Sequence, residues 1–279
     1  MKPHGIFSGF FLSVLCLALP AAAAEQPAVI DLKKPVLESL RPDGFYWAFD
    51  EGIVGTSNPE NIEDLSDNGI TGLLGGSRES PTPTYADGKF GTAIYLQGAG
   101  SIVRWVEGNR TGSPMGLLTS GEKGKAFTAG IWFKMEDTKP VGHILMRRDG
   151  GARIGWRIAL IKADSKDTET PGSSWNLLME YGDYKGNPGT KATTDAFADG
   201  GWHHIGISVA PDGSAAESAD GLTDFTAVYW LDGQLFDTVA FTTKEVDVEQ
   251  GSHSIVVGND AWGIVDDAFI TSGVHSFKK

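Results

Sequence analysis

Apolar and polar side chains change places at every second residue through short runs of this chain, and that period demands extended strands rather than helices. In "FTAGIWFKM" (127–135), Phe127, Ala129, Ile131, Phe133 and Met135 fall on one face, and Thr128, Gly130, Trp132 and Lys134 on the other. Runs of the same texture, rich in Val, Ile, Phe, Tyr and Trp, occupy 45–50, 92–96, 101–106, 126–135, 143–148, 153–161, 174–181, 202–210, 225–231, 234–241, 253–259 and 265–271. Gly, Asp, Asn, Ser and Pro separate them. No long segment carries a helical period. Asp232-Gly233 sits between two such runs, the signal of a two-residue hairpin. The expected fold is therefore all-β, a two-sheet antiparallel sandwich in one domain spanning residues 44–279.

What precedes that domain is of two kinds. Residues 1–24 carry Lys2, an apolar run from Ile6 to Leu19, then Pro20 and four alanines, the pattern of a secretory signal with cleavage near Ala24. Its apolar core is too short for a spanning helix. Residues 25–43 are mixed and proline-punctuated, a linker or a strap lying on the domain. Cys16 is the only cysteine and leaves with the signal, so the mature chain has no disulfide. A secreted or periplasmic cell-envelope location follows, with a length sufficient for a core without staples.

Processing leaves 22 basic residues, the original 23 less Lys2, against 36 acidic ones, a balance of −14. Nucleic acid and anionic membrane are poor partners for such a surface, since both demand a basic footprint. No phosphate-binding or dinucleotide loop is present, and no Ser or Cys nucleophile has a recognisable base. His203 and His204 are adjacent, so on a strand they face opposite sides and cannot share a metal. The triplet Asn109-Arg110-Thr111 fits a glycosylation sequon, a pattern that arises often by chance.

Two groups of residues carry candidate chemistry. In "KEVDVEQ" (244–250), Glu245, Asp247 and Glu249 alternate with valines and resemble the E-x-D-x-E signature of the family 16 glycoside hydrolases. Positions four apart on a strand lie about 13 Å apart, whereas retaining glycosidases hold their carboxyl groups about 5–5.5 Å apart. The flanks also lack aromatic residues for a sugar cleft, so the sequence favours an acidic rim strand. The second group is aromatic. Trp262, Trp175 with Asn176, and Tyr184 fall in or beside polar and glycine-rich stretches, where rings stack on sugar faces. Trp132, Trp156, Trp202 and Trp230 lie inside strands and are expected to pack between layers.

The order of landmarks resembles the laminin-G-like domains of the concanavalin A-like lectin/glucanase superfamily. "YWAFDEG" (46–52), "DLSDNGITGLL" (64–74), "GKFGTAIYLQGAGSIV" (88–103), "FTAGIWFKM", "DGGWHHIGISV" (199–209), "VYWLDGQLFDT" (228–238) and "IVVGNDAWGIVDDAFI" (255–270) follow in that family's order. The closing "SGVHSFKK" departs from it, so the last strand is expected to finish early. The resemblance implies a jelly-roll sandwich and places "EVDVE" too late in the chain to be a glucanase catalytic strand. It further implies a structural calcium at the rim, held by Asp50 and Asp266 with carbonyls near Gly91, the alternative being that these acids cap backbone amides. Asp212, Asp220 and Asp224 in the insertion 211–224 form a second, weaker cation candidate. The implied function is a secreted, non-enzymatic module binding a carbohydrate or surface glycoconjugate. Its competitors are a hydrolase or lyase using Glu245 and Glu249, and a structural or protein-interaction module without a sugar site.

Overall fold

The computed structural model describes residues 28–40, 42–66, 68–75, 81–98, 100–106, 126–135, 143–149, 155–162, 175–181, 190–194, 199–212, 222–244, 253–259 and 261–279. In chain order the first strands are β1 (Val29–Asp31), β2 (Phe45–Trp47), β3 (Asn61–Ile62), β4 (Gly72–Gly75), β5 (Thr84–Asp87) and β6 (Thr92–Gln97). They are followed by β7 (Ile102–Val106), β8 (Phe127–Met135), β9 (His143–Asp149), β10 (Gly155–Lys162), β11 (Trp175–Tyr181) and β12 (Thr190–Thr194). The last are β13 (Trp202–Pro211), β14 (Leu222–Leu231), β15 (Gln234–Lys244), β16 (His253–Gly258), β17 (Trp262–Ser272) and β18 (Ser276–Lys278). A single 3-10 turn, Val36–Glu38, is the only helical element among the described residues.

Two sheets face each other. The back sheet runs β12-β11-β10-β9-β16-β7-β4-β3, and the front sheet β15-β14-β13-β8-β17-β6-β5, with β2 also paired to β17. Every pairing within them is antiparallel among the described residues, which confirms the expected jelly-roll type of sandwich. The alternation of β8 is realised as read: Phe127, Ala129, Ile131, Phe133 and Met135 enter the core between the sheets, beside Ile205, Ile207, Val265 and Ile270. Asp232 and Gly233 take φ of 52° and 77° in the β14–β15 turn, as a two-residue hairpin requires.

The outer face of the front sheet is covered as well. β1 and β18 pair in parallel, with Ile30 opposite Phe277, and lie over that face. Ile30, Leu32, Val36, Tyr46, Ala48, Trp132, Phe269 and Phe277 form a second buried cluster there. Gly206 makes room for it, because a Cβ at that position would fall 2.4 Å from Cε2 of Phe277. Trp132, expected between the layers, is instead buried beneath this cover at 2 % exposure, and Trp202 and Trp230 pack partly against the same cluster. The reason is parity: Trp132 is on the opposite face of β8 from Phe133, and that face has its own apolar cover. The last long strand does not finish early either. β17 continues to Ser272, and "SGVHSFKK" turns back to supply β18.

Candidate functional site

The front sheet brings Asp50 and Asp266 to one place, the turn between β5 and β6. Phe49, buried with φ of 63°, reverses the chain after β2 and directs Asp50 at that turn. Oδ1 of Asp50 accepts the Thr92 amide at 2.8 Å, while the Thr92 hydroxyl donates to the Phe49 carbonyl at 2.6 Å. Gly91 cannot be another residue here, since a Cβ would lie 2.1 Å from Asp50 Oδ1 at a φ of 74°. From the other side, Oδ2 of Asp266 accepts the amides of Lys89 at 2.8 Å and Phe90 at 2.9 Å. Both carboxylates thus cap backbone amides of the same turn.

A bulge in β17 against β8, between Asp266 and Phe269, buries two successive acids. Asp267 has φ of 52°, and its carboxylate accepts the Tyr46 hydroxyl and, at 3.0 Å, the Val36 amide, which fastens residues 28–40 to the sheet. Burial pushes the Asp267 carboxyl up to about 6, opposed by these two hydrogen bonds. The Tyr46 hydroxyl is driven well above its usual range by burial and by the facing carboxylate, so it stays protonated and donates. Asp266 is fully buried, and that burial lifts its carboxyl to about 8, with the amides of Phe90 and Lys89 pulling the other way and Asp267 adding to the rise.

Calcium takes six to eight hard oxygen ligands. Oδ1 of Asp266 is buried with no hydrogen-bond partner, the orphaned acceptor that such an ion would satisfy. Asp50 is exposed and its Oδ2 is turned to no amide in the described set. No group of three or more His, Cys, Asp or Glu side chains able to hold a metal occurs among the described residues. Carbonyl and water oxygens would therefore have to complete a shell begun by these two acids. Of the weaker cation candidates, Asp212 spends an oxygen on the Thr226 hydroxyl at 2.7 Å and Asp220 lies outside the described residues. Asp224 is exposed.

The two histidines face opposite ways, as the strand period requires. His203 is held at both ring nitrogens, by Asp232 at 2.9 Å and Asp199 at 3.0 Å, which raise its pKa against the effect of burial. It ties the loop before β13 to the β14–β15 turn. His204 points to the covered face against Trp132 and Phe277, and complete burial lowers it to about 3, so it is neutral. In "DLSDNG", Asp64 accepts the amides of Tyr46, Ser66 and Ile70 at 2.9–3.0 Å, a clamp on the chain around β2. These are positioning residues; the doubled acid in "VDDAFI", inside an otherwise apolar strand, was the sequence signal for Asp267.

The sugar-facing candidates do not assemble into one group. Trp262 opens β17 in the front sheet, half-buried, with its indole against Gly98, where a Cβ would fall 2.3 Å from Cε2. Trp175 and Asn176 open β11 in the back sheet, opposite Thr194 and Thr193 of β12. Tyr184, Glu245, Asp247 and Glu249 lie outside the described residues, and the last three occur between β15 of the front sheet and β16 of the back sheet. No helix among the described residues is long and apolar enough to cross a membrane.

No known family model matches the sequence, and no curated protein matches it. Solved structures do. The receptor-binding domain of botulinum neurotoxin type G aligns over 84 % of this chain and 48 % of its own at 12 % identity, with a TM-score of 0.41. The CBM40 module of the Ruminococcus gnavus IT-sialidase aligns over 64 % of this chain and 89 % of its own at 9 % identity, TM-score 0.39. Trypanosoma rangeli sialidase aligns over 81 % of this chain and 30 % of its own at 13 % identity, TM-score 0.45. The chain spans about half of the toxin chain and under a third of the trypanosomal one. Similarities this distant carry no conclusion about ligand or activity.

Proposed function

We propose that this chain is a secreted or cell-envelope module of the laminin-G-like type, non-catalytic, binding a carbohydrate or surface glycoconjugate after cleavage of its signal near Ala24. The observation that carries this reading is Trp262, a half-buried indole backed by Gly98 at the start of β17. An aromatic ring fixed by its backbone and left partly open is the element that sugar recognition needs, since stacking loses little entropy when the ring is already held. A calcium ion at Asp50 and Asp266 is part of the same proposal, supported by the orphaned Asp266 Oδ1. Bound there, the ion would keep Asp266 ionised; the protein's own contribution is the pair of amide clamps that already hold the β5–β6 turn, Asp266 to β17 and Asp50 to the segment after β2.

A glycan array probed with wild type and Trp262→Ala, with and without chelator, tests the reading. Binding that falls about tenfold or more in Trp262→Ala is expected. An array without any bound glycan would reject the module, and release of reducing ends from a polysaccharide, abolished by Glu249→Gln, would replace it with the hydrolase.

A further inference from the structure

The register across five strands assembles a surface that no single stretch of sequence displays. Thr84 of β5 is opposite Tyr95 of β6, Tyr95 opposite Ile264 of β17, Ile264 opposite Lys134 of β8, and Lys134 opposite Trp202 of β13. Directly opposed residues share a face. That face is the outer one, because the neighbours Ile94, Leu96, Phe133, Met135 and Val265 all enter the core. One step toward the edge, Trp262 is opposite Gln97 on the same face. Thr84, Tyr95, Gln97, Lys134, Trp202 and Trp262 are each half-buried, and Ile264 beneath them is 6 % exposed.

The composition of this row is unusual for the molecule around it. Three aromatic rings alternate with an amide, a hydroxyl and an ammonium, and no carboxylate interrupts them in a chain whose mature charge is −14. Lys134 forms no ion pair among the described residues. With neighbouring strands about 4.8 Å apart, Tyr95 and Trp202 are separated by three strand steps, about 14 Å. That is the reach of an oligosaccharide, not of one sugar.

We propose that this row is a platform for an extended, carboxylate-bearing oligosaccharide, an oligouronide, whose ring faces stack on Tyr95, Trp202 and Trp262 while one carboxylate meets the Lys134 ammonium. The proposal rests on the carbohydrate-binding reading above and names its ligand class and its surface. A uronate suits the row because its carboxylate projects from the ring edge and leaves the ring face free to stack, and because an ammonium without an ion-pair partner among the described residues favours an anion. Gln97 and Thr84 supply hydrogen bonds to the hydroxyls at the opposite end of the row.

Titration calorimetry with an oligouronide and with its carboxyl-reduced, neutral counterpart tests this on wild type, Lys134→Gln, Tyr95→Ala and Gln97→Ala, each first checked for an unchanged melting midpoint. Wild type should prefer the oligouronide by about tenfold, the loss of one charge-assisted hydrogen bond. Lys134→Gln should erase that preference, and Tyr95→Ala should weaken both ligands. Carboxyl reduction needs no mutation, so its effect stands even if a variant is unstable. Binding of the oligouronide that Lys134→Gln leaves unchanged would overturn the platform but not the module. Equal binding of the two ligands to wild type would overturn the acidic ligand class. Failure of every glycan on the array would remove the underlying reading, and this inference with it.

Discussion

Replacing Phe277 by alanine removes the ring that closes the covered face of the front sheet. That ring is 3 % exposed and lies 4.7 Å from His204, 6.0 Å from Trp230 and 6.3 Å from Phe269, centroid to centroid. Truncating a buried phenylalanine costs about 3–5 kcal/mol, and a domain of this size loses about 2–4 °C per kcal/mol. The melting midpoint should therefore drop by about 6–20 °C. Gly206 provides an internal check. Its Cβ in Gly206→Ala would meet Cε2 and Cζ of Phe277 at 2.4 and 2.6 Å, so that variant alone should cost about 1–3 kcal/mol. In the Phe277→Ala background the obstruction is gone, and the cost should fall below about 1 kcal/mol. Urea unfolding of the four proteins measures the cycle. Strict additivity within about 0.5 kcal/mol, or a loss under about 1 kcal/mol for Phe277→Ala, would show that β18 is not part of the cooperative unit.

Two further outcomes follow from buried titrating groups. His203 has its pKa raised by Asp232, opposed by burial and supported by Asp199, so its contribution is fully present below the unfolded value of about 6.5 and is lost as pH rises through the folded one. The difference in melting midpoint between wild type and His203→Gln should shrink from about pH 6 to about pH 9, and a constant difference would contradict the double clamp. Asp266 behaves as an acid whose pKa burial raises to about 8, which makes wild type lose stability as pH climbs from about 4 toward that value. In chelator, Asp266→Asn keeps an oxygen for the Lys89 and Phe90 amides and should gain on wild type across that range. Added calcium should reverse the order by stabilising wild type alone, and no response of wild type to calcium would reject the ion.

Which parts of this structure were readable from the chain depends on how far apart the interacting residues lie. Period-two alternation orients β8 completely, because each residue's face follows from its neighbours. β1, β3, β4, β5, β12 and β18 were not anticipated: runs of two to five residues carry little or no period, and the pairing of most of them is decided by strands distant in sequence. Trp132 shows the same limit. Alternation turned it away from the core, but Ile30, Val36 and Phe277, which make that outer face a second interior, lie about a hundred or more residues away in sequence. Asp50 and Asp266 do meet at one turn, where both cap backbone amides, the alternative to calcium that their motif positions also allow. The row from Thr84 to Trp202 was invisible because it exists only once five registers are known.

Trp262 and Trp202, on the outer face of the front sheet, are where the glycan is proposed to lie. The chain has eight tryptophans, so an amide correlation spectrum carries eight indole N–H signals, assignable one by one with Trp→Phe variants. Titration with a glycan that binds on the array should shift the signals of Trp262 and Trp202 and leave those of Trp47, in the core, and Trp132, under the β1–β18 cover, in place. Saturable shifts that spare Trp262 and Trp202 would place the ligand elsewhere and contradict the account.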